Sequence, residues 1–217
     1  MASDPASPTR HQPVLLREVL DQLQLEPGAV IVDGTFGGGG HTRAIAERIG
    51  PTGRVIAVDR DPSAVARAES LAETLPITPR LGNYCDVPEI LRELGLETVD
   101  GILLDLGLSS DQLADDDRGF SFQSTGPLDL RFDPSRGEPA WRLLEHINER
   151  ALADLIYRYG EERYSRRIAR AIVERRRKRE PIRTAADLAD LIRRCLPRQR
   201  GRIDPATRTF QALRIAV

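Results

Sequence analysis

The chain has 217 residues, of which 40% are hydrophobic and 30% charged, enough apolar content for one domain or a domain with an insertion. No apolar run approaches the ~20 residues that a membrane helix needs. Because Met1–Pro5 also lacks the charged and apolar regions of a signal peptide, we expect a cytoplasmic protein. Cys85 and Cys195 form no CxxC pair and the three histidines form no metal motif, so we expect no metal site and no disulfide framework.

The first half of the chain alternates between strand and helix patterns. Residues 1–12 are polar and contain proline, which predicts a loose tail, and Val14–Leu25 has helical apolar spacing. Strands are predicted near residues 30–33, 54–59, 77–81 and 99–105, and they are separated by helices near residues 41–49, 62–75 and 88–95. This alternation predicts a parallel, doubly wound α/β sheet.

The pattern changes from about residue 107. Polar loops containing Gly119, Gly126 and Gly137 come first, and helices are then predicted near residues 140–147, 150–158, 161–179, 184–195 and 205–216. We therefore expect the second half to be a mainly helical insertion.

Four consecutive glycines, Gly37–Gly40, separate the first predicted strand from a helix that starts near His41. Glycine allows positive φ and leaves no Cβ between the backbone and a ligand, so a nucleotide-like cofactor could touch main-chain atoms here. A flexible loop or a helix cap is the alternative interpretation, and the glycines alone leave it open.

The second predicted strand ends in Asp59, where Rossmann-type folds bind the hydroxyl pair of a ribose. Asp59 could instead cap the next helix. The pair Asp61-Pro62 already supplies a helix start signal, which favours the ribose role.

The glycine run fits one cofactor class better than two others. A dinucleotide site requires G-x-G-x-x-G, but here the register places Thr42 at the last glycine, and a P-loop requires a lysine that this region lacks. S-adenosylmethionine carries no phosphate, so its site needs close backbone approach, acids and a stacking surface for adenine. The glycine run and Asp59 supply the first two.

The fourth predicted strand ends in Asp105, at the edge of the sheet where α/β enzymes form their active cleft. The exocyclic amine of cytosine or adenine is a poor nucleophile because its lone pair is delocalised into the ring. An acceptor such as Asp105 could bind the amine N–H and align the nitrogen with a sulfonium methyl. Asp105 could also cap the turn at Gly107 or bind the cofactor, and the sequence does not separate these roles.

The net charge of −1 conceals an asymmetry along the chain. Residues 1–157 hold 14 Lys/Arg and 26 Asp/Glu, net −12, whereas residues 158–217 hold 18 and 7, net +11. The densest basic segment is Arg163–Arg179, where Ile168 and Ile172 define one apolar helix stripe. The arginines around that stripe are either a solvated helix surface or a contact surface for a nucleic-acid backbone.

Several sequence blocks together resemble the ribosomal RNA small subunit methyltransferase H family. The blocks are His11-Gln-Pro-Val-Leu-Leu, Asp33-Gly-Thr-Phe-Gly-Gly-Gly-Gly-His, Asp59-Arg-Asp-Pro, Gly101-Ile-Leu-Leu-Asp-Leu-Gly-Leu-Ser-Ser, Arg118-Gly-Phe-Ser-Phe, Gly126-Pro-Leu-Asp-Leu-Arg, Tyr159-Gly-Glu-Glu-Arg and Thr207-Arg-Thr-Phe-Gln-Ala-Leu-Arg. They span nearly the whole chain in order. The resemblance implies methylation, by S-adenosylmethionine, of the N(4) amine of a cytidine in the decoding centre of 16S ribosomal RNA, with the small ribosomal subunit as partner. It implies no membrane partner and leaves a homodimer open.

The resemblance also implies roles for individual residues. Cofactor binding would involve Gly39, Gly40 and His41 at the methionine portion, Asp59 at the ribose and Tyr84 near the adenine, with Asp105 and Gln112 as further contacts. A tyrosine offers a stacking face, which suits that position. Asp105 is in addition the candidate catalytic residue. Arg118, Arg131 and the basic helix are candidate RNA contacts by position and charge.

The implied fold is a Rossmann-like class I methyltransferase with an inserted helical domain. We expect a flexible tail at residues 1–12, an S-adenosylmethionine-binding domain at residues 13–108, a helical substrate-recognition insertion at residues 109–205 and a returning helix at residues 206–217. Strands one to four are present, whereas the family continues into closing strands beyond Val217.

A sheet without closing strands has an unpaired edge, so we hypothesise a truncated member with impaired turnover. An NAD-dependent oxidoreductase and a catalytically inert RNA-binding protein are the other functions that the residues leave open.

Overall fold

Four parallel strands form the sheet of the first half of the chain. The computed structural model describes residues 13–197 and 203–217 and divides the chain into two units, Met1–Asp111 and Gln112–Val217. The predicted tail, and with it His11 of the first family block, lies outside the described residues. The strands are β1 (Val30–Asp33), β2 (Arg54–Asp59), β3 (Ile77–Leu81) and β4 (Gly101–Leu103).

The strand order is β3-β2-β1-β4, and every pairing is parallel. From β1 the chain winds outward through β2 and β3 and then returns to the other side of β1 with β4. The direction of winding therefore reverses between β1 and β4. In open α/β sheets, ligands bind outside the carboxyl ends of the strands at such a reversal.

The two central strands are buried on both faces, which explains their continuous β-branched runs. Ile31 and Val55 belong to one apolar cluster, whereas their neighbours Val32 and Ile56 belong to another. Alternate side chains of a strand point to opposite faces, so the sheet carries a core on each side.

Helices cover both faces of this sheet. They are α1 (Leu16–Gln22), α2 (Gly40–Ile49), α3 (Pro62–Ala72) and α4 (Val87–Glu93). Residues of α2 and α3 pack in the cluster that contains Ile31, whereas Val87 and Ile90 of α4 pack in the cluster that contains Val32. The start of α3 is fixed as predicted, because the Asp61 side chain accepts a hydrogen bond from the Ser63 N–H and Pro62 is the first helical residue.

The largest differences from the predicted elements of this unit are in α1 and β4, both of which are shorter than predicted. Helix α1 is shorter than the predicted span Val14–Leu25 because Leu15 and Gln24 adopt positive φ values of 53° and 49°, outside the helical region. Strand β4 covers three residues instead of residues 99–105, since only Gly101–Leu103 pair with β1. In the described residues β4 pairs on one side only, and Ile102 is 52% exposed.

The second unit is built from helices. Helix α5 (Ser110–Ala114) contains the boundary between the units, and it is followed by a 3₁₀ turn at Asp116–Arg118. The other helices are α6 (Ala140–His146), α7 (Glu149–Gly160), α8 (Ser165–Arg177), α9 (Ala185–Cys195) and α10 (Thr207–Ala216). The predicted helix at residues 161–179 starts later because Glu161 ends α7 with a left-handed φ of 52°. The predicted apolar stripe on α8 is confirmed, since Ile168 and Ile172 are both buried. None of the helices in the described ranges combines the length and hydropathy that a membrane span requires.

Helices α7 and α10 approach closely at a glycine. A Cβ built on Gly160, the last residue of α7, would collide with the carbonyl oxygen of Arg208 in α10 and lie 3.2 Å from the Ala212 side chain. Ala212 and Leu213 of α10 are fully buried. The packing of the second unit therefore depends on the absence of a side chain at residue 160.

We predict that Gly160→Ala lowers the free energy of unfolding by about 1–3 kcal/mol, because the new methyl forces α7 and α10 apart. Chemical denaturation of the two chains measures the difference. Gly82→Ala is the matched control, since a Cβ there meets its nearest atoms at an ordinary 3.5 Å. Equal stability of Gly160→Ala and the parent would show that the helices accommodate the methyl.

Candidate active site

A buried carboxylate at the end of β1 fixes the start of the glycine run. One oxygen of Asp33 accepts the Thr35 N–H at 3.1 Å, and the other accepts the Thr42 hydroxyl at 2.6 Å. Burial raises the pKa of Asp33, and the two hydrogen bonds oppose that rise. Thr42 is itself fully buried, and its hydrogen bond to Asp33 connects α2 to β1. Thr42 is the residue that stands where the G-x-G-x-x-G motif of a dinucleotide site would have its last glycine.

The carboxylate of Asp59, at the end of β2, holds the same run from another side. It accepts the Gly37 N–H at 2.7 Å with one oxygen and the Asp61 N–H at 2.9 Å with the other. Burial is the largest cause of its raised pKa, and the two backbone N–H groups act in the opposite direction. Each carboxylate oxygen has a second lone pair, so Asp59 retains acceptor capacity for a hydroxyl pair.

Arg67 completes this support, although no pattern in the sequence indicates this role. From α3 its Nη2 donates to the Gly37 carbonyl at 3.1 Å, so Asp59 and Arg67 bind the N–H and the C=O of Gly37. Its Nε is buried and has no hydrogen-bond partner among the described residues. The contact spans thirty residues of sequence, and the local helix pattern carries no signal for it.

Two of the glycines predicted to bind cofactor are packed against the chain itself. Gly39 has a φ of 77°, and a Cβ there would lie 2.6 Å from the ring of Phe36. A Cβ on Gly40 would lie 2.9 Å from Pro13. Their missing side chains therefore make room for Phe36 and Pro13 as well as permitting the turn. The role of Gly39 and Gly40 in cofactor binding stays a prediction.

Tyr84 lies at the same edge of the sheet, on a 3₁₀ turn that follows β3. The Asn83 side chain accepts the Cys85 N–H, and the Asp86 side chain accepts the Asn83 N–H, so both ends of this turn are held. A Cβ on Gly34, just after β1, would come within 3.0 Å of the Tyr84 Cβ. Because Tyr84 is 40% exposed, part of its side chain remains accessible for stacking.

Asp105 lies in the loop that follows β4. The predicted strand at residues 99–105 would have ended at Asp105, but β4 ends at Leu103. The Asp105 N–H donates to the Thr35 hydroxyl at 2.7 Å, which joins the loop after β4 to the start of the glycine run. Its side chain is 38% exposed, and His41 Nδ1 lies 3.9 Å from one carboxylate oxygen.

The position of His41 determines which of its nitrogens carries a proton. Nε2 lies 3.0 Å from the Val14 carbonyl oxygen, which can only accept, so Nε2 is the donor. The neutral ring then presents the lone pair of Nδ1 toward Asp105, and a protonated ring would present an N–H. At 3.9 Å the contact with Asp105 is an ion pair only when His41 is protonated.

The structure therefore brings together, within the first unit, six of the seven residues predicted to bind cofactor. They are Gly39, Gly40, His41, Asp59, Tyr84 and Asp105, at or next to the carboxyl ends of the strands. Gln112 is buried on α5 and begins the second unit.

Comparison with known proteins identifies the family of the chain. The sequence matches the MraW methylase family over residues 8–217. The chain belongs to that family. Predicted membership of a methyltransferase family is thereby confirmed, and S-adenosylmethionine is the cofactor that the family implies.

Curated relatives are similar over almost the whole chain. A protein named "Ribosomal RNA small subunit methyltransferase H" from Thermomicrobium roseum is 53% identical over 99% of this chain and 66% of its own length. Proteins of the same name from Rhodopirellula baltica and Halorhodospira halophila are each 48% identical over 100% of this chain, and over 70% and 68% of their own lengths. The chain thus spans about two thirds of the length of these relatives.

One solved structure is similar over a smaller part. It is a SAM-dependent methyltransferase from Aquifex aeolicus, matched over 32% of this chain and 38% of that one, with 19% identity and a TM-score of 0.28. So partial a match decides nothing about the site.

Two arginines predicted to contact RNA instead bind their own chain. Arg131 forms a bidentate ion pair with Asp129, at 2.7 Å for both bonds, and donates to the carbonyls of Arg136 and Gly137. Arg118 donates to the carbonyls of Arg131 and Phe132. With these donors engaged, both side chains order a loop of the second unit, and they are weak candidates for RNA contacts.

We predict different effects when each of the two buried acids is replaced by asparagine. Asn at residue 33 can accept the Thr35 N–H and donate to the Thr42 hydroxyl, so Asp33→Asn keeps both contacts. Asn at residue 59 faces two N–H donors and can accept only one, so Asp59→Asn loses a bond and about 1–3 kcal/mol of stability. Thermal unfolding at neutral pH compares the two variants.

The pH dependence of Asp33→Asn has a definite sign. Burial raises the pKa of Asp33, so the folded chain holds this proton more tightly than the unfolded chain does. Ionisation of Asp33 therefore costs stability at neutral pH, and the cost disappears as pH falls through the raised pKa. We expect the stability of Asp33→Asn relative to the parent, measured by chemical denaturation, to fall as the pH is lowered from neutral through the raised pKa of Asp33. A relative stability that rises on acidification would contradict this sign.

Proposed function

We propose that this chain transfers a methyl group from S-adenosylmethionine to the N(4) amine of a cytidine in the decoding centre of 16S ribosomal RNA. The observation that carries the proposal is the match to one methylase family over residues 8–217, which includes the acids and glycines at the β1–β4 reversal. The named relatives are small subunit ribosomal RNA methyltransferases over the same residues. Cytosine and its N(4) amine are the finer part of the proposal and come from the sequence resemblance.

The residues at the reversal fit this cofactor. Asp59 retains lone pairs for the ribose hydroxyls, and the exposed part of Tyr84 offers a stacking surface for the adenine. Gly39, Gly40 and His41 border the place proposed for the methionine portion. When bound, the cofactor supplies an electrophilic methyl group on a sulfonium.

Asp105 is proposed to act on the amine that receives the methyl. Its backbone is fixed by Thr35, while its exposed carboxylate is free to accept the amine N–H. That hydrogen bond favours a more pyramidal nitrogen, whose lone pair is available for attack. His41 faces the same carboxylate and can stabilise its charge when protonated.

The proposal is tested with residues 1–217 as they stand. We expect S-adenosylmethionine to bind in isothermal titration and labelled methyl to appear as N(4)-methylcytidine in small ribosomal subunits. Binding of NAD without binding of S-adenosylmethionine would favour an oxidoreductase. RNA binding that survives Asp59→Ala, without any methyl transfer by the parent chain, would indicate an inert RNA-binding protein.

Asp105 and Asp59 are predicted to affect different steps. Asp105→Asn should lower the single-turnover rate of methyl transfer by at least about tenfold, because an amide is a weaker acceptor than a carboxylate. Its dissociation constant for S-adenosylmethionine should change less than that of Asp59→Asn, which loosens the glycine run. If Asp105→Asn weakened only cofactor binding and left the bound rate unchanged, Asp105 would be a cofactor contact without a role toward the amine.

A further inference from the structure

The arginines of the second unit fall into two groups when their contacts are compared. One group is engaged within the chain: Arg176 donates to the carbonyls of Leu144 and Ile147, and Arg193 pairs with Asp190 and Asp204. The other group is exposed, and within residues 13–197 and 203–217 its side chains make no hydrogen bond or ion pair. On and next to α8 it consists of Arg163, Arg166, Arg167, Arg177, Lys178 and Arg179, and elsewhere in the unit it includes Arg142, Arg150, Arg158 and Arg194.

This second group is concentrated on and next to α8. Arg166, Arg170 and Arg177 follow one another at i, i+4 and i+11, so they share a helix face, and Arg163 precedes them. Arg170 is also 68% exposed and lies 3.7 Å from Glu149, an exposed pairing that is worth little. We call Arg163, Arg166, Arg170 and Arg177 the arginine face.

The positive charges in the first turn of α8 do not stabilise the helix. Cations near a helix C-terminus are favourable, which accounts for Arg177 and its neighbours in the last turn. Arg166 and Arg167 lie in the first turn, which has no acidic residue, and there positive charge opposes the helix dipole. Surface cations that oppose the dipole and have no acidic partner in the described chain are best explained by a partner that carries negative charge.

We infer that the arginine face of α8 is the surface on which this protein holds the phosphate backbone of its RNA. The inference rests on the proposed function and names the residues that bind its substrate. Guanidinium groups pair with phosphates bidentately, and a row of them along a helix provides affinity that does not depend on base sequence. The net charge of the chain is only −1, so this attraction is local to the face and not a property of the whole molecule.

The test uses Arg163→Gln/Arg166→Gln, which removes two charges that have no partner in the described chain. The matched control, Arg17→Gln/Arg48→Gln, removes two charges from exposed side chains of the first unit that likewise have no partner in the described chain. Binding of a 16S ribosomal RNA transcript, and of a duplex RNA of unrelated sequence, is measured over a range of salt concentrations. Circular dichroism confirms that both variants are folded, since loss of a first-turn cation should not weaken α8.

We expect the arginine-face variant to bind both RNAs about tenfold more weakly near 0.15 M salt, with the slope of log affinity against log salt reduced by about 2. The control should bind as the parent does. Unchanged affinity and slope in the arginine-face variant would overturn the inference, as would an equal loss in the control. Displacement of RNA from the parent by poly-glutamate at equal charge concentration would also overturn it, in favour of an acidic protein partner. If the parent binds RNA through this face but transfers no methyl group, the proposed function fails while the inference stands.

Discussion

The site depends on how a run of four glycines is held in one shape. Glycine loses more conformational freedom on folding than any other residue, so such a run is ordered only where other groups bind its backbone. Here Asp59 accepts the N–H of Gly37 and Arg67 donates to its carbonyl, while Asp33 fixes the residues on either side of the run. Bonds to charged groups are the stronger kind, and here they offset part of the cost of burying the two acids, whose pKa values stay raised. The turn is thus organised before any ligand arrives, and a ligand does not have to supply that ordering.

The same bonds connect the strands on which the proposed chemistry depends. Thr35 gives its N–H to Asp33 and accepts the N–H of Asp105 with its hydroxyl, so a single residue links β1, the glycine run and the loop after β4. Asp105 is consequently positioned by the backbone of its neighbours, although its strand is only three residues long. A short strand can therefore still be followed by a loop whose backbone is fixed at the residue that is proposed to act on the amine.

Sequence was sufficient where a local pattern decides the structure. The bounds of β1, β2 and β3 follow from runs such as Val55–Val58, whose side chains are buried on both faces of the sheet. Strand β4 was predicted too long because Leu104 continues the apolar run but leaves the sheet, where its side chain lies against Gly34. No local pattern records such a contact, and the same is true of Phe36 against Gly39.

The arginines show most clearly what could not be predicted from the sequence. The sequence gives the number of arginines and predicts a basic helix. It does not reveal that Arg131 forms an ion pair with Asp129, whereas Arg166 has no acidic partner in the described chain. The sequence around these two arginines does not show which of them is paired. Only the folded chain shows which cations neutralise internal acids and which remain available to an external anion, because that depends on neighbours brought together by packing.

Charge also explains why a sulfonium suits the first unit better than a pyrophosphate does. Asp59 and Asp105 border the proposed cleft, and the guanidinium of Arg67 is bound to the carbonyl of Gly37. Partly buried carboxylates attract a cation and repel a phosphate, most strongly where solvent is excluded. The second unit has the opposite balance, with the exposed cations of α8. In the proposed function the two units therefore favour ligands of opposite charge: the acids of the first unit favour the cationic cofactor, and the exposed cations of α8 favour the phosphates of the substrate.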